Sequence, residues 1–223
     1  MDATPQAPPA TPAVEVQRLK FSGVLDQCDE GTFVTLTDEQ RSQFKQNHIK
    51  ATGARPPPGR EPPDEQLAAL KAKMDRGHAP YADFAVFLPH GKRAQRHHRF
   101  HAQIFVEGRL TTLRLGGPED YEQRKACWAL FRAAIICLDA MSLATLDAYE
   151  RGIASLVRLF PSHWPIIYCA DETMRMEQWI QAYHRFKDEG TLPNDRPWDF
   201  VVRYTTYGGE DIVQTFVHWW NDT

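Results

Sequence analysis

From Pro118 onward the apolar residues recur three and four positions apart, and that spacing predicts helices. Cys127, Trp128, Phe131, Ile135 and Leu138 make one stripe. Pro118 suits the first position of that helix, and Glu119, Asp120 and Glu122 suit its first turn, where carboxylates meet the positive end of the helix dipole. A second helix carries Leu146, Tyr149, Ile153, Leu156 and Phe160, with Ser142 as its cap and Pro161 as its stop. The third begins at Pro165, sets Met176, Trp179, Tyr183 and Phe186 on one side, and ends at Gly190. Beyond it, "PWDFVVRYTTYGGEDIVQTFVHWWNDT" predicts two short helices broken at Gly208 and Gly209.

The first half of the chain is less periodic. Residues 1–13, rich in Pro, Ala and Thr, bury too little to offset ordering entropy and predict a disordered tail. "VEVQRLKFSGVLD" and "GTFVTLT" predict short extended pieces, and Thr37 before Asp38, Glu39 and Gln40 predicts the start of a helix ending ahead of "ATGARPPPGREPP". The prolines of residues 53–63 predict a stiff linker, so residues 14–52 are expected as a small N-terminal unit and 64–223 as the main domain. That domain opens on a helix from Pro63, Asp64 and Glu65 to a left-handed stop at Gly77. β-rich runs on each side of "EG" predict a hairpin over roughly 99–106 and 110–115. The expected class is therefore α+β, mostly α: three long helices packed with a β-hairpin, preceded by a small α/β unit and a disordered tail.

Charge adds a second pattern. Net charge is −3, and the pI of about 6.3 excludes a globally basic nucleic-acid binder. The sign is unevenly spread: residues 61–117 hold nine Lys/Arg against six Asp/Glu, and residues 118–223 hold ten against sixteen. Such asymmetry orients a molecule on a polyanion or favours head-to-tail self-association. Cys28, Cys127, Cys137 and Cys169 form no CxxC pair, and Cys127 and Cys137 fall in a helical apolar pattern that makes them small core residues. "MDATPQAPPATPA" lacks the pattern of a signal peptide, and no run reaches the ~20 apolar residues that cross a bilayer. Free thiols in a reducing compartment, cytoplasm or nucleus, are expected, and no membrane.

The candidate chemistry lies in "PHGKRAQRHHRFHAQ". It sets Lys92, Arg93, Arg96 and Arg99 among His90, His97, His98 and His101, and no acidic residue occurs between Asp83 and Glu107. His97 and His101 share a face in helix or strand, as two metal ligands would. Zinc wants three or four ligands, no HExxH or Cys pair accompanies these, and four neighbouring cations oppose a dication, so no metal or other cofactor is expected. Phosphate contact fits better: Lys and Arg release counterions from a nucleic acid, and Phe84, Phe87, Phe100 and Phe105 could stack on bases. The competing reading is a solvated loop and the charged edge of a hairpin. Elsewhere no Gly-rich phosphate loop, GxSxG elbow or kinase signature occurs, so no catalytic residue is assigned. Glu172 and Arg175 at i, i+3 read as a surface ion pair on a solvated face. Trp198, Trp219 and Trp220 read as core or as a self-association surface.

"PDEQLAALKAKMDRGHAPYADFAVFLPHGKR", "GPEDYEQRKACWALFRAAIICLD", "LDAYERGIASLVRLFP" and "WPIIYCADETMRMEQW" resemble an uncharacterised family of retroelement-associated, Gag-like accessory proteins abundant in large protist genomes. "LKFSGVLDQCDEGTFVTLTDEQRSQF" is similar to its N-terminal part, so the resemblance runs from about Gln17 to Phe186. It implies an accessory role in packaging or handling element RNA and carries no catalytic residue. The expectation is a non-enzymatic protein that binds RNA or other single-stranded nucleic acid weakly through Lys92, Arg93, Arg96, His97, His98 and Arg99. Two alternatives stand beside it. One is a self-assembly module whose basic region docks on an acidic surface of another copy; the other is a metal-dependent hydrolase centred on His97, His98 and His101.

Overall fold

The computed structural model describes residues 36–84, 87, 99–106 and 109–207, with the backbone alone for 99–106 and 109–115. The expected disordered tail, the extended pieces before Leu36 and the last expected helix lie outside these residues. Helices α1 (Asp38–Thr52) and α2 (Asp64–Asp75) come first, then strands β1 (Arg99–Val106) and β2 (Arg109–Gly116). Helices α3 (Tyr121–Cys137) and α4 (Leu143–Leu159) follow. Next α5 (Trp164–Thr173), a π turn (Met174–Gln178) and α6 (Trp179–Asp188) form one continuous rod, and α7 (Pro197–Tyr207) closes the described chain.

The helix ends are where local chemistry placed them. Thr37 and Gln40 form a reciprocal capping box, with the Gln40 amide donating to Thr37 Oγ1 at 3.2 Å and the Thr37 amide to Gln40 Oε1 at 3.1 Å. α1 runs on to Thr52, further than expected, because nothing stops it before Gly53 turns left-handed at φ 77°. α3 starts at Tyr121 rather than Pro118. Its cap is Asp120, whose carboxylate accepts from the Gln123 amide at 2.8 Å, leaving Pro118 in the preceding loop. Ser142 caps α4 by accepting from the Thr145 amide at 3.2 Å, and the Ser142 amide in turn donates to Asp199 at 2.7 Å, which ties α7 to that end.

α3 is the centre: α1, α2 and α4 all pack on it, while α5 and α7 pack on α4, and α6 on α7. Cys127, Trp128, Phe131 and Ile135 of the expected stripe are buried. Phe131 meets Phe84 and Phe87 edge-on, with ring centroids 5.9 and 6.1 Å apart, and Trp128 at 5.4 Å. Such a ring cut back to Ala costs about 3–5 kcal/mol through lost burial and the cavity left behind. On α4, Leu146, Tyr149, Ile153 and Leu156 all face inward. Trp198 is buried and stacks on Tyr183 at 4.5 Å, so it belongs to the core; Trp219 and Trp220 lie outside the described residues.

The α+β expectation is corrected. Among the residues whose side chains are described the protein is 68% helical, in six helices once the continuous rod of α5, the π turn and α6 counts as one. β1 and β2 run antiparallel along the backbone and pair with each other, Arg99 opposite Gly116 through Val106 opposite Arg109, and the described core is built from helices and the loops between them. The helices bury their stripes against one another instead. Among the described residues there is no N-terminal α/β unit either: the described part of residues 14–52 is the single helix α1, whose Phe44 joins the common core. Asn47 of α1 donates to the Cys137 carbonyl at 2.9 Å, and Arg41 meets Asp64 at 2.6 Å across the Pro-rich stretch.

Met176 was expected inside with Trp179, Tyr183 and Phe186, yet it is 45% exposed, while Met174 and Arg175 are buried. The cause is the π turn, which inserts a residue into the helical count. The inner face runs through Ile167 and Asp171 before the turn, through Met174 and Arg175 within it, and through Trp179, Ala182 and Phe186 after it.

Candidate functional site

Asp171 sits on the inner face of α5, one turn after Ile167, and Arg175 falls one turn later. Across from them Arg124 occupies the inward phase of α3, one turn before Cys127 and Trp128. All three are fully buried. Arg124 holds Asp171 with two nitrogens, Nη2 to Oδ1 at 2.9 Å and Nε to Oδ2 at 3.4 Å. The Tyr149 hydroxyl of α4 donates to Oδ1 at 2.9 Å, and Arg175 Nε donates to Oδ2 at 3.2 Å. Arg124 also donates to Glu150, again on α4. One carboxylate therefore joins α3, α4, α5 and the π turn.

Burial alone would push the Asp171 carboxyl up, but the Arg124 and Arg175 guanidiniums beside it outweigh that and hold it below its ordinary value of 3.8. Burial likewise opposes the charge on both arginines, and the carboxylates more than compensate. The Tyr149 and Tyr168 hydroxyls are pushed well up by burial. Burial also drives the Cys137 thiol up to about 12 and the Cys169 thiol up to about 11, so both stay protonated at neutral pH. An ionised Asp171 whose two oxygens accept from four donors is a structural hub with no oxygen to spare for a substrate proton. The sequence reading of Glu172 and Arg175 as a solvated ion pair is corrected: Arg175 pairs with Asp171, and Glu172 accepts from the Tyr81 hydroxyl at 3.1 Å.

The same helix grips the chain on both sides of the basic segment. On the approach, Arg175 Nη1 donates to the Ala82 carbonyl at 2.9 Å, its guanidinium lies 3.9 Å over the Phe84 ring, and Tyr81 meets Glu172. On the return, Trp164 Nε1 donates to the Pro118 carbonyl at 3.0 Å. Gly117, at φ 130°, takes a conformation that L side chains rarely adopt, and a Cβ there would overlap the Tyr168 ring. Hence Trp164 and Tyr168 hold the returning chain, and Glu172 and Arg175 hold the departing one.

Of the residues assigned to nucleic acid, Lys92, Arg93, Arg96, His97 and His98 lie outside the described residues. Arg99 is the first residue of β1, opposite Gly116, and His101 stands opposite Arg114. Among the described residues no group of His, Cys, Asp and Glu could hold a metal ion. Sequence reasoning missed the Arg124–Asp171–Arg175 network. Its signal was present: a charge at an inward phase of a helix needs a partner at another such phase, and Arg124, Asp171 and Arg175 all occupy inward phases.

No family model, no curated protein and no solved structure matches the chain.

Proposed function

We propose that this is a non-enzymatic, retroelement-associated protein that binds single-stranded nucleic acid weakly through Lys92, Arg93, Arg96, His97, His98 and Arg99, in the cytoplasm or nucleus. The observation that carries the reading is the acid-free run from Phe84 to Val106, which leads into a paired backbone where His101 faces Arg114. Cations gathered without local carboxylates release counterions when they meet a phosphate backbone. The retroelement setting rests on the resemblance of the sequence to Gag-like accessory proteins. Among the described residues no helix is long and apolar enough to cross a membrane.

Replacing Lys92, Arg93, Arg96 and Arg99 together by Gln tests the assignment. Affinity for a labelled single-stranded RNA falls more than tenfold if these cations hold phosphates. Unchanged affinity places the contact elsewhere. The second reading is self-assembly, which the acidic balance of residues 118–223 favours. In that case the wild-type chain forms concentration-dependent oligomers that dissolve in salt, and no RNA binds.

A further inference from the structure

Two clusters of prolines lie between α1 and α2, and the fold uses only one of them. Pro62 is buried, and Pro63 opens α2, its carbonyl accepting from the Gln66 and Leu67 amides at 3.0 and 3.1 Å. The other cluster, Pro56 to Pro58, stands between Arg55 and Arg60. Arg55, Pro57, Pro58, Gly59 and Arg60 are all exposed. The conformation of this cluster follows from covalent structure. Each ring fixes φ at about −65°, and Arg55, Pro56 and Pro57 each precede a proline, which pushes them to extended ψ. Together these make a short polyproline II segment. It ends in a tight turn, where the Arg60 amide donates to the Pro57 carbonyl at 2.9 Å and Gly59 takes φ 80°.

Both ends of the segment are tied to α1. His48 Nδ1 donates to the Ala54 carbonyl at 2.9 Å on the way in, and Lys45 meets Glu61 at 3.8 Å on the way out. Arg41 then meets Asp64, so the stretch doubles back along the helix. A stiff spacer has nothing to hold apart here, because α1 and α2 both pack on α3. The result is a rigid proline ridge facing water, already ordered before any partner arrives, which lowers the entropic cost of binding. Its charge is one-sided. From Gln40 to Arg60 there are five Lys/Arg and no Asp or Glu. Among the described residues neither Arg55 nor Arg60 makes an ion pair.

We propose that residues 55–60 are a docking ridge for a polyproline-reading protein module, a groove of aromatic rings rimmed by carboxylates that meet Arg55 and Arg60. No two prolines between Arg55 and Pro63 stand three apart, so the PxxP spacing that SH3 domains read is absent. Consecutive prolines between arginines fit instead the single aromatic slot of a WW-type domain. The ridge shares no residue with the nucleic-acid assignment and does not rest on it.

The test titrates the full chain against a panel of purified WW domains, with a matched panel of SH3 domains alongside. Saturable binding by WW domains with acidic rims is expected. Pro57→Ala with Pro58→Ala weakens it more than tenfold, while the unfolding midpoint stays within about 5 °C of the parent. Pro62→Ala with Pro63→Ala does the reverse: the midpoint falls further and the affinity holds. Arg55→Gln with Arg60→Gln lowers the affinity and flattens its salt dependence. A silent WW panel, binding confined to SH3 domains, or binding that survives Pro57→Ala with Pro58→Ala overturns the proposal. If no WW domain binds and the Arg55, Arg60 variant instead loses affinity for single-stranded RNA, the proposal falls and these arginines belong to a phosphate contact.

Discussion

Arginine is concentrated in two regions here, under opposite rules. In the interior Arg124 and Arg175 close on Asp171, with Glu150 and Tyr149 completing the set, so every charge taken from water meets a counter-charge or a donor. In the segment from Phe84 to Val106 the cations come without a single carboxylate. The first arrangement uses charge to fix the relative positions of α3, α4 and α5. The second carries no carboxylate of its own along the chain. Burial makes the matching obligatory in the first: an unmatched guanidinium is ruinous inside.

The comparison breaks most visibly at Asp171. Asp171→Ala leaves two buried guanidiniums facing each other, and should cost about 3–5 kcal/mol in denaturant unfolding or prevent folding altogether. The quadruple neutralisation of Lys92, Arg93, Arg96 and Arg99 removes four charges rather than one, yet its stability should stay within about 0.5 kcal/mol of the parent. A large loss there would mean that those cations are part of the fold. Next in size is Tyr149→Phe, which removes one hydrogen bond to the buried carboxylate and should cost about 1.5–3 kcal/mol by the same measurement. Gly117→Ala strains the backbone and drives a methyl into the Tyr168 ring, for about 1–3 kcal/mol.

The smallest expected effects are in pH. The Asp171 carboxyl, lowered in the fold, stabilises the protein above its ordinary value of 3.8, and that contribution disappears as pH falls through the lower folded value. Glu172 has the opposite sign. Burial raises it above its ordinary 4.5, so its contribution to stability declines as pH rises from 4.5 through the folded value. Glu172→Gln, which can still accept from Tyr81, should flatten stability against pH over that upper window. The acid limb below 3.8 should be left unchanged. A curve that keeps its slope in the upper window would assign that titration to another group.

Much of the helical body was legible in the sequence. Thr37, Ser142 and Gly190 marked ends because a cap or a left-handed stop is local chemistry, and the stripes of α3 and α4 are ordinary 3.6-residue arithmetic. What failed needed the third dimension. Met176 was placed inside because a π turn breaks that arithmetic without any Pro or Gly to announce it. Glu172 and Arg175 looked like a solvated pair because i, i+3 spacing is silent about burial, whereas the aromatics Tyr81 and Phe84 that cover Arg175 lie some ninety residues earlier. The α+β class follows from alternation over residues 99–115, which is a real strand pattern, but the described core is helical throughout.

The proposed function assigns folding to the buried, matched cations and binding to those of the acid-free run. Its most direct test is the affinity of the full chain for a labelled single-stranded RNA across a salt series, about 50 to 200 mM, with the quadruple neutralised variant alongside. Each phosphate contact on a single strand contributes ~0.7 to the slope of log affinity against log salt. The expected result is a slope of roughly 2–3 in magnitude for the wild type, collapsing in the variant. A variant with the same slope, or a wild type that fails to bind at the lowest salt, would contradict it.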